Sequence, residues 1–141
     1  MTIVVDASVA AHWYFPSAAT ERALTILAAD ERRIAPELLL NEMGNIAWKL
    51  ARAGQIDQAA ATGAFAALRH AIAEFISAQV YMERAFVIAR DLDHSIYDCF
   101  YLALAEGNDA TLATFDKRLI RRVEATRWRH VLHPIAREAT G

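Results

Sequence analysis

Short apolar runs alternate with longer stretches of helical periodicity along the whole chain. The first run, Thr2 to Val5, is continuous and rich in β-branched residues, which is typical of a buried parallel strand. Further short strands are predicted at residues 34–35, 75–76, 110–114 and 131–132. Helices are predicted at residues 8–15, 17–29, 36–53, 57–70, 79–92, 95–106 and 117–123. This alternation favours one three-layer α/β/α domain over residues 1–141, with a mainly parallel sheet of about five strands.

Proline and glycine mark the ends of two of these helices. Pro36 is expected to open the third helix and Gly54 to close it, which follows the usual order of proline first and glycine last. Gly107 is expected to end the helix at 95–106 in a left-handed conformation. The helix at 79–92 is amphipathic, and Val80, Ala85, Phe86 and Ala89 are its predicted inner positions.

The run from Tyr97 to Ala105 is apolar on every helical face, and its only charge is Asp98. The helix is therefore predicted to be buried, and a carboxylate close to its low-dielectric surroundings needs a compensating partner. Two interpretations of Asp98 stay open. Ser95 and Asp98 fit a capping box, which would place the carboxylate in a first helical turn without further role, or the carboxylate belongs to a functional site.

Three more acids occupy positions where α/β proteins place ligand sites. Asp6 follows the first strand and Asp116 follows the strand that ends at Thr114, so both are expected at one edge of the sheet. Glu42 and Asn45 are three residues apart and share one face of the third helix, from which both could reach one ligand. Two of these acids also have an ordinary interpretation: Asp6 as a helix cap, and Glu42 as a solvent-exposed side chain.

Composition narrows the classes of function. Cys99 is the only cysteine, so no internal disulfide is possible, and its apolar helix favours a small buried hydrophobe over a reactive thiol. The five histidines show no metal-ligand spacing, which argues against a zinc site. No apolar run approaches the roughly 20 residues of a membrane span, and the first residues lack the pattern of a signal peptide. We therefore expect a cytoplasmic protein without a membrane partner.

Charge is distributed unevenly along the chain. Residues 1–116 hold 8 Lys or Arg against 15 Asp or Glu, whereas residues 117–141 hold 7 against 2. The basic segment starts beside Asp116. A basic cluster next to acidic groups suits a phosphate backbone drawn to a metal site, and the ordinary alternative is a solvated helix face.

Taken together, these motifs resemble the signature of the PIN-domain ribonucleases, in particular the VapC-type toxins of bacterial toxin–antitoxin pairs. The resemblance rests on Asp6-Ala7-Ser8 after the first strand, Glu42 with Asn45, Tyr97-Asp98 followed by Tyr101 to Ala105, and Thr114-Phe115-Asp116. It covers nearly the whole chain. It implies an acidic metal-binding and catalytic pocket of Asp6, Glu42, Asp98 and Asp116, with Ser8, Asn45 and Thr114 as supporting polar groups.

The physics of converging carboxylates favours a metal as well. Two unit negative charges about 5 Å apart repel by roughly 3 kcal/mol at an effective dielectric near 20. Such groups must protonate, pair with cations or bind a metal, and the nearby Lys49 and Lys117 are flexible and too few for four acids. All-oxygen ligation selects Mg²⁺ or Mn²⁺ over zinc or copper.

The expected reaction is metal-assisted hydrolysis of RNA phosphodiester bonds. Asp6, Asp98 and Asp116 are the expected ligands, directly or through water, and Glu42 is either a further ligand or the base that receives the proton of water. The family resemblance also implies a homodimer and a cognate antitoxin whose C-terminal segment occupies the groove. Candidate residues to line that groove are Trp13, Tyr14 and Trp48, with ordinary core packing as the alternative.

Two other functions compete with this interpretation. A signalling receiver domain is also α/β and binds Mg²⁺, but it needs paired acids after the first strand, and here Asp6 is followed by Ala7. It also does not carry acids on helices as Glu42 and Asp98 are predicted to be. The other alternative is a PIN-like binding module without catalysis, against which the presence of all four acids argues.

Overall fold

The structure, a computed structural model, describes the backbone of residues 1–140 and the side chains of residues 1–137. Strands and helices alternate from the start of the chain, as the sequence pattern predicts. In chain order the elements are β1 Thr2–Val5, α1 Ala7–Tyr14, α2 Thr20–Ala28, β2 Arg32–Pro36, α3 Leu38–Arg52, α4 Gln58–Ala71, β3 Glu74–Ile76, α5 Ala78–Leu92, α6 Ile96–Gly107, β4 Thr111–Ala113, α7 Lys117–Glu124, a 3₁₀ helix Arg127–Val131, and α8 Pro134–Thr140.

The sheet is parallel, and its four strands lie in the order β3-β2-β1-β4. Val4 in the central strand β1 is in register with Ile34 of β2 and with Leu112 of β4. The predicted fifth strand at residues 131–132 is reduced to a single parallel bridge between Leu132 and Leu112. It extends no further because Val131 ends the 3₁₀ helix.

Alternate residues of the strands enter two separate cores, and helices cover both. Val4, Ile34 and Leu112 pack with α5, α6 and α7 on one face of the sheet. Ile3, Val5 and other strand residues pack with α1, α2, α3 and α4 on the opposite face. This two-residue alternation produces the predicted three layers. Because β1 and β4 are parallel neighbours, the residues that follow them meet at one edge of the sheet.

Two predictions about individual residues are wrong. Pro36 ends β2 and does not open a helix, because α3 begins at Leu38. The next residue, Glu37, donates its N–H to the carbonyl of Ile76, so the pairing of β2 with β3 continues past the proline. Val80 and Phe86 are 63% and 58% exposed, and α5 turns instead a narrow stripe of Ala85, Ile88 and Leu92 inward.

The third wrong prediction concerns the end of α6. Gly107 is the last helical residue, and the positive φ angle of 51° belongs to Asp109. What Gly107 provides is room: a Cβ atom there would lie 2.5 Å from Cε1 of Tyr81 on α5. The Asn108 amide donates a hydrogen bond to the hydroxyl of this ring, so withdrawal of the ring would disturb that contact as well. A side chain at position 107 therefore fits only if the Tyr81 ring moves.

Gly107→Ala is expected to lower the free energy of unfolding by about 1–3 kcal/mol, because the added methyl overpacks a filled contact. Gly63→Ala is the matched control, since that position lies inside α4 with no atom near its Cβ direction. It is expected to stabilise the protein by about 0.5–1 kcal/mol through the helix preference of alanine. Urea unfolding of both variants measures the two values, and equal shifts would refute the packing account.

Within the part of the chain that the structure describes, no helix combines the length and the apolar composition needed to cross a bilayer.

Candidate functional site

The ends of β1 and β4 bring Asp6 together with two hydroxyl groups. Ser8 Oγ donates to Asp6 Oδ1 at 2.6 Å, and Thr114 Oγ1 donates to Asp6 Oδ2 at 2.5 Å. Asp6 occupies the N-cap position of α1, but its side chain accepts no hydrogen bond from a backbone N–H of that helix, so the interpretation of the carboxylate as a helix cap is wrong. Its carboxylate is held across the sheet edge instead.

Burial makes the charge on Asp6 costly. Asp6 is 8% exposed, and desolvation raises the pKa of its carboxyl group to about 7. The hydrogen bonds from Ser8 and Thr114 lower this pKa, but desolvation has the larger effect. The charges of Glu42 and Asp116 raise the pKa further. Without a cation at this edge, Asp6 therefore exchanges its proton near neutral pH.

The hydroxyl groups of Ser8 and Thr114 can form hydrogen bonds with Asp6 whether its carboxyl group is charged or protonated. Both donate to the charged carboxylate, which accepts only. Ser8 Oγ and Thr114 Oγ1 also lie 3.2 Å apart, so one hydroxyl can turn to the other when Asp6 is protonated and donates itself. The Ser8 oxygen further accepts the N–H of Phe115 at 2.8 Å, which fixes its position.

Glu42 points from α3 towards the same edge and is held by a tyrosine of α6. The hydroxyl of Tyr101 donates to Glu42 Oε1 at 2.5 Å, and Tyr101 is only 2% exposed. Burial raises the pKa of Glu42, and the negative charges of Asp98 and Asp116 raise it further. Burial and the Glu42 charge also raise the pKa of Tyr101 well above its usual range, so this hydroxyl remains a donor.

Asp98 lies in the first turn of α6, as predicted, but it does not form a capping box. The Ser95 hydroxyl accepts the N–H of Tyr97, while the Asp98 carboxylate contacts a histidine. His94 Nε2 lies 2.6 Å from Asp98 Oδ2, and the imidazole is 4% exposed. Because a carboxylate only accepts, Nε2 carries the hydrogen. His94 thereby fixes one carboxylate oxygen of Asp98.

Asp116 caps α7 with one oxygen. Its Oδ1 accepts the backbone N–H groups of Arg118 and Leu119 at 3.0 and 3.2 Å. The positive end of the helix dipole stabilises a carboxylate at this position. The Asp116 N–H donates to Thr114 Oγ1 at 3.1 Å, which connects Asp116 through Thr114 to Asp6.

The four acids share one electrostatic environment. Asp6 is coupled to Glu42 and Asp116, and Glu42 is coupled in turn to Asp98 and Asp116. Among residues 1–137, no Lys or Arg side chain forms an ion pair with any of them, and Lys49 and Lys117, the two lysines considered as partners, are exposed. The edge of the sheet therefore carries negative charge that the described side chains do not neutralise.

The acids do not yet converge to coordination distance. No group of three or more His, Cys, Asp or Glu side chains in the described part of the chain is placed to hold a metal ion. Contacts with Tyr101, His94 and the α7 backbone each engage one oxygen of Glu42, Asp98 and Asp116, respectively. Their chemistry still fits a hard divalent cation, because every donor is a carboxylate oxygen.

The remaining sequence candidates separate into buried and exposed residues. Trp13 is 8% exposed and donates from Nε1 to the carbonyl of Ala23, so it belongs to the core and lines no groove. Tyr14 is half-buried. Trp48 is 56% exposed, and Asn45 is also exposed, on the helix that carries Glu42.

Sequence reasoning missed the two side chains that hold the acids, Tyr101 and His94. His94 lies before the N-cap Ser95 of α6, outside the helix, so helical spacing gives no signal for its contact with Asp98. No local pattern connects Tyr101 to Glu42, because 59 residues separate them along the chain.

Comparison with known proteins decides the family. The PIN-domain profile matches residues 3–125. The chain belongs to the PIN-domain family. The predicted family is therefore confirmed, and this PIN domain is not a receiver-type signalling domain.

Two proteins from Pyrobaculum aerophilum are similar to this chain, one in sequence and one in fold. The PIN domain is 31% identical over 133 residues to Ribonuclease VapC3, a match that covers 89% of this chain and 97% of that protein, which places it with the VapC-type proteins. It also resembles the crystal structure of PAE2754 with a TM-score of 0.68 and 24% identity, covering 86% of this chain and 79% of that one. At this identity, the second likeness shows the fold alone.

Proposed function

We propose that this PIN domain is a metal-dependent endoribonuclease that acts as the toxin of a toxin–antitoxin pair. The observation that carries the proposal is the set of four coupled carboxylates at the carboxyl end of β1 and β4, which no Lys or Arg of residues 1–137 neutralises. The name of the VapC3 relative, a ribonuclease, supports RNA as the substrate.

Asp6, Asp98 and Asp116 are proposed to bind Mg²⁺ or Mn²⁺, directly or through water. A bound divalent cation supplies Lewis-acid activation of water and stabilises charge on the departing oxygen. Asp98 and Asp116 each have one oxygen engaged in the protein, since His94 holds Asp98 Oδ2 and two backbone N–H groups hold Asp116 Oδ1, whereas both oxygens of Asp6 accept hydrogen bonds from hydroxyl groups. Such outer contacts orient a ligand, so they support a preorganised site.

Glu42 is proposed as a further ligand or as the base that receives a proton from water. Tyr101 holds Oε1, which leaves Oε2 for either role. The raised pKa of Glu42 suits a base, because proton transfer is most effective when the pKa of the base approaches the working pH. Ser8 and Thr114 are proposed to support Asp6 through their hydroxyl groups, and the same supporting role for Asn45 remains a prediction.

A homodimer and a cognate antitoxin complete the proposal. The exposed Trp48 on α3 is available for contact with another chain, whereas Trp13 is not. A large exposed aromatic residue is a common anchor of protein interfaces, which supports this assignment.

Removal of the divalent cation tests the proposed function. The purified protein is expected to cleave a labelled RNA in Mn²⁺ or Mg²⁺, to lose that activity in EDTA, and to regain it when Mn²⁺ is added in excess. Gel electrophoresis of the RNA measures each step. Cleavage at an unchanged rate in EDTA would contradict a metal-dependent mechanism.

A further inference from the structure

Helix α7 carries four exposed basic side chains. Lys117, Arg118, Arg121 and Arg122 are all exposed, while Leu119, Ile120 and Val123 of the same helix enter the core. At 3.6 residues per turn the four cations lie within an arc of about 140°. We call these four residues the α7 ridge. None of them forms an ion pair or a cation–π contact with another described residue.

The placement of these cations favours the helix only in part, because Arg121 and Arg122 lie in its last turn, where the helix dipole stabilises positive charge, but the other two cations do not. Lys117 and Arg118 occupy the first turn, where the helix dipole disfavours positive charge. Lys117 and Arg121, like Arg118 and Arg122, are like charges four residues apart, which repel on a helix surface. A solvated helix face chosen for stability would carry acids at the first turn and alternating signs beyond it. Such a violation of local preference is typical of a functional surface.

Other arginines in the chain contrast with the ridge. Arg84 forms two hydrogen bonds with Glu106, and Arg32 pairs with Glu74. The Arg33 guanidinium donates to backbone carbonyl groups of neighbouring segments, among them Ala71. These side chains fasten elements of the fold together, whereas the ridge makes no such contact among the described residues.

The ridge begins at the candidate site itself. Asp116, one of the four acids, caps α7 with its carboxylate, and Lys117 is the next residue. We infer that the α7 ridge binds the phosphate backbone of the RNA and leads it to the carboxylates, an inference that rests on the proposed function. A polyanion that spans several cations relieves their mutual repulsion, and it approaches an acidic centre only if adjacent positive charge offsets that centre.

The test is RNA binding in EDTA, where cleavage does not interfere. A fluorescent single-stranded RNA of mixed sequence is titrated at several salt concentrations with the wild type and with Arg118→Gln/Arg122→Gln. Each phosphate contact contributes about 0.7 to the slope of log K against log salt for single strands. The variant is therefore expected to lose about 1.4 from that slope and about 25-fold in affinity at 0.1 M salt.

Two control variants distinguish the charge of the α7 ridge from the net charge of the whole protein and from the loss of the arginine side chains themselves. Arg69→Gln/Arg90→Gln removes the same charge from exposed positions on α4 and α5 and is expected to bind as the wild type does. Arg118→Lys/Arg122→Lys retains the charge and is expected to keep the salt slope. The Gln variant is also expected to unfold at the same or a higher temperature than the wild type, since repulsion falls. Loss of binding therefore cannot be ascribed to unfolding.

An unchanged slope and affinity in Arg118→Gln/Arg122→Gln would overturn the inference and assign the ridge to another anionic partner. An equal loss in the Arg69→Gln/Arg90→Gln control would overturn it too. Failure of the wild type to cleave RNA in Mn²⁺ would instead remove the proposed function, whatever the binding in EDTA shows. The two ideas therefore fail by different measurements.

Discussion

Asp6→Asn is expected to stabilise the metal-free protein at pH 8 by up to about 4 kcal/mol and to have little effect at pH 4. Burial raises the pKa of Asp6 from 3.8 to about 7 in the folded state, and each pKa unit corresponds to about 1.4 kcal/mol. A raised carboxyl pKa means that stability is fully present below pH 3.8 and falls as the pH rises through 7. The uncharged amide of asparagine avoids this loss. Urea unfolding in EDTA between pH 4 and pH 8 measures the difference in the free energy of unfolding between the variant and the wild type.

The added metal should reverse the order of stability. A divalent cation that binds the charged carboxylates stabilises the wild type by mass action, whereas Asp6→Asn lacks one of the proposed ligands. Asp93→Asn is the matched control, because Asp93 is exposed and its left-handed backbone conformation suits asparagine. The claim that burial raises the pKa of Asp6 would be contradicted by two results together. The free energy of unfolding of the wild type in EDTA would rise from pH 4 to pH 8, and Asp6→Asn would be no more stable than the wild type at pH 8.

The parts of the site that the sequence predicts are those set by strand order. Asp6 and Asp116 each follow a buried apolar run, and parallel neighbours deliver such residues to one edge, as the structure confirms. Asp98 was recognisable as the single charge of an apolar helix. The hydrophobic pattern also predicts both covering layers of helices, because strand residues alternate between two cores.

The missed features depend on tertiary contacts. The hydrogen bond from Tyr101 to Glu42 joins two helices that are distant in sequence. The apolar residues of α5 could be assigned to two faces, and packing against α6 selected the narrow stripe that excludes Phe86. A capping pattern identifies a carboxylate near a helix start, but it does not reveal that Thr114 holds Asp6 from a distant strand end or that Asp98 contacts the neighbouring His94.

Asp98→Asn is expected to reduce metal-dependent RNA cleavage by at least about 100-fold, because it alters a proposed ligand, and even outer contacts of metal sites are worth 10–100-fold. The substitution removes a charge, and His94 determines how the amide turns. The His94 Nε2–H needs an acceptor, so the amide oxygen faces His94 and the NH₂ group faces the other acids. An NH₂ group repels a cation. The fold should remain intact without metal, since repulsion among the acids falls.

The most direct test of the central claim is Mn²⁺-dependent cleavage of one labelled RNA by the wild type, Asp98→Asn and the control Asp93→Asn, purified in parallel. If the four acids form a metal centre for RNA hydrolysis, the wild type and Asp93→Asn cleave at similar rates and Asp98→Asn leaves the RNA intact. Folding of all three is verified by circular dichroism. Cleavage by folded Asp98→Asn at the rate of the wild type would contradict the claim.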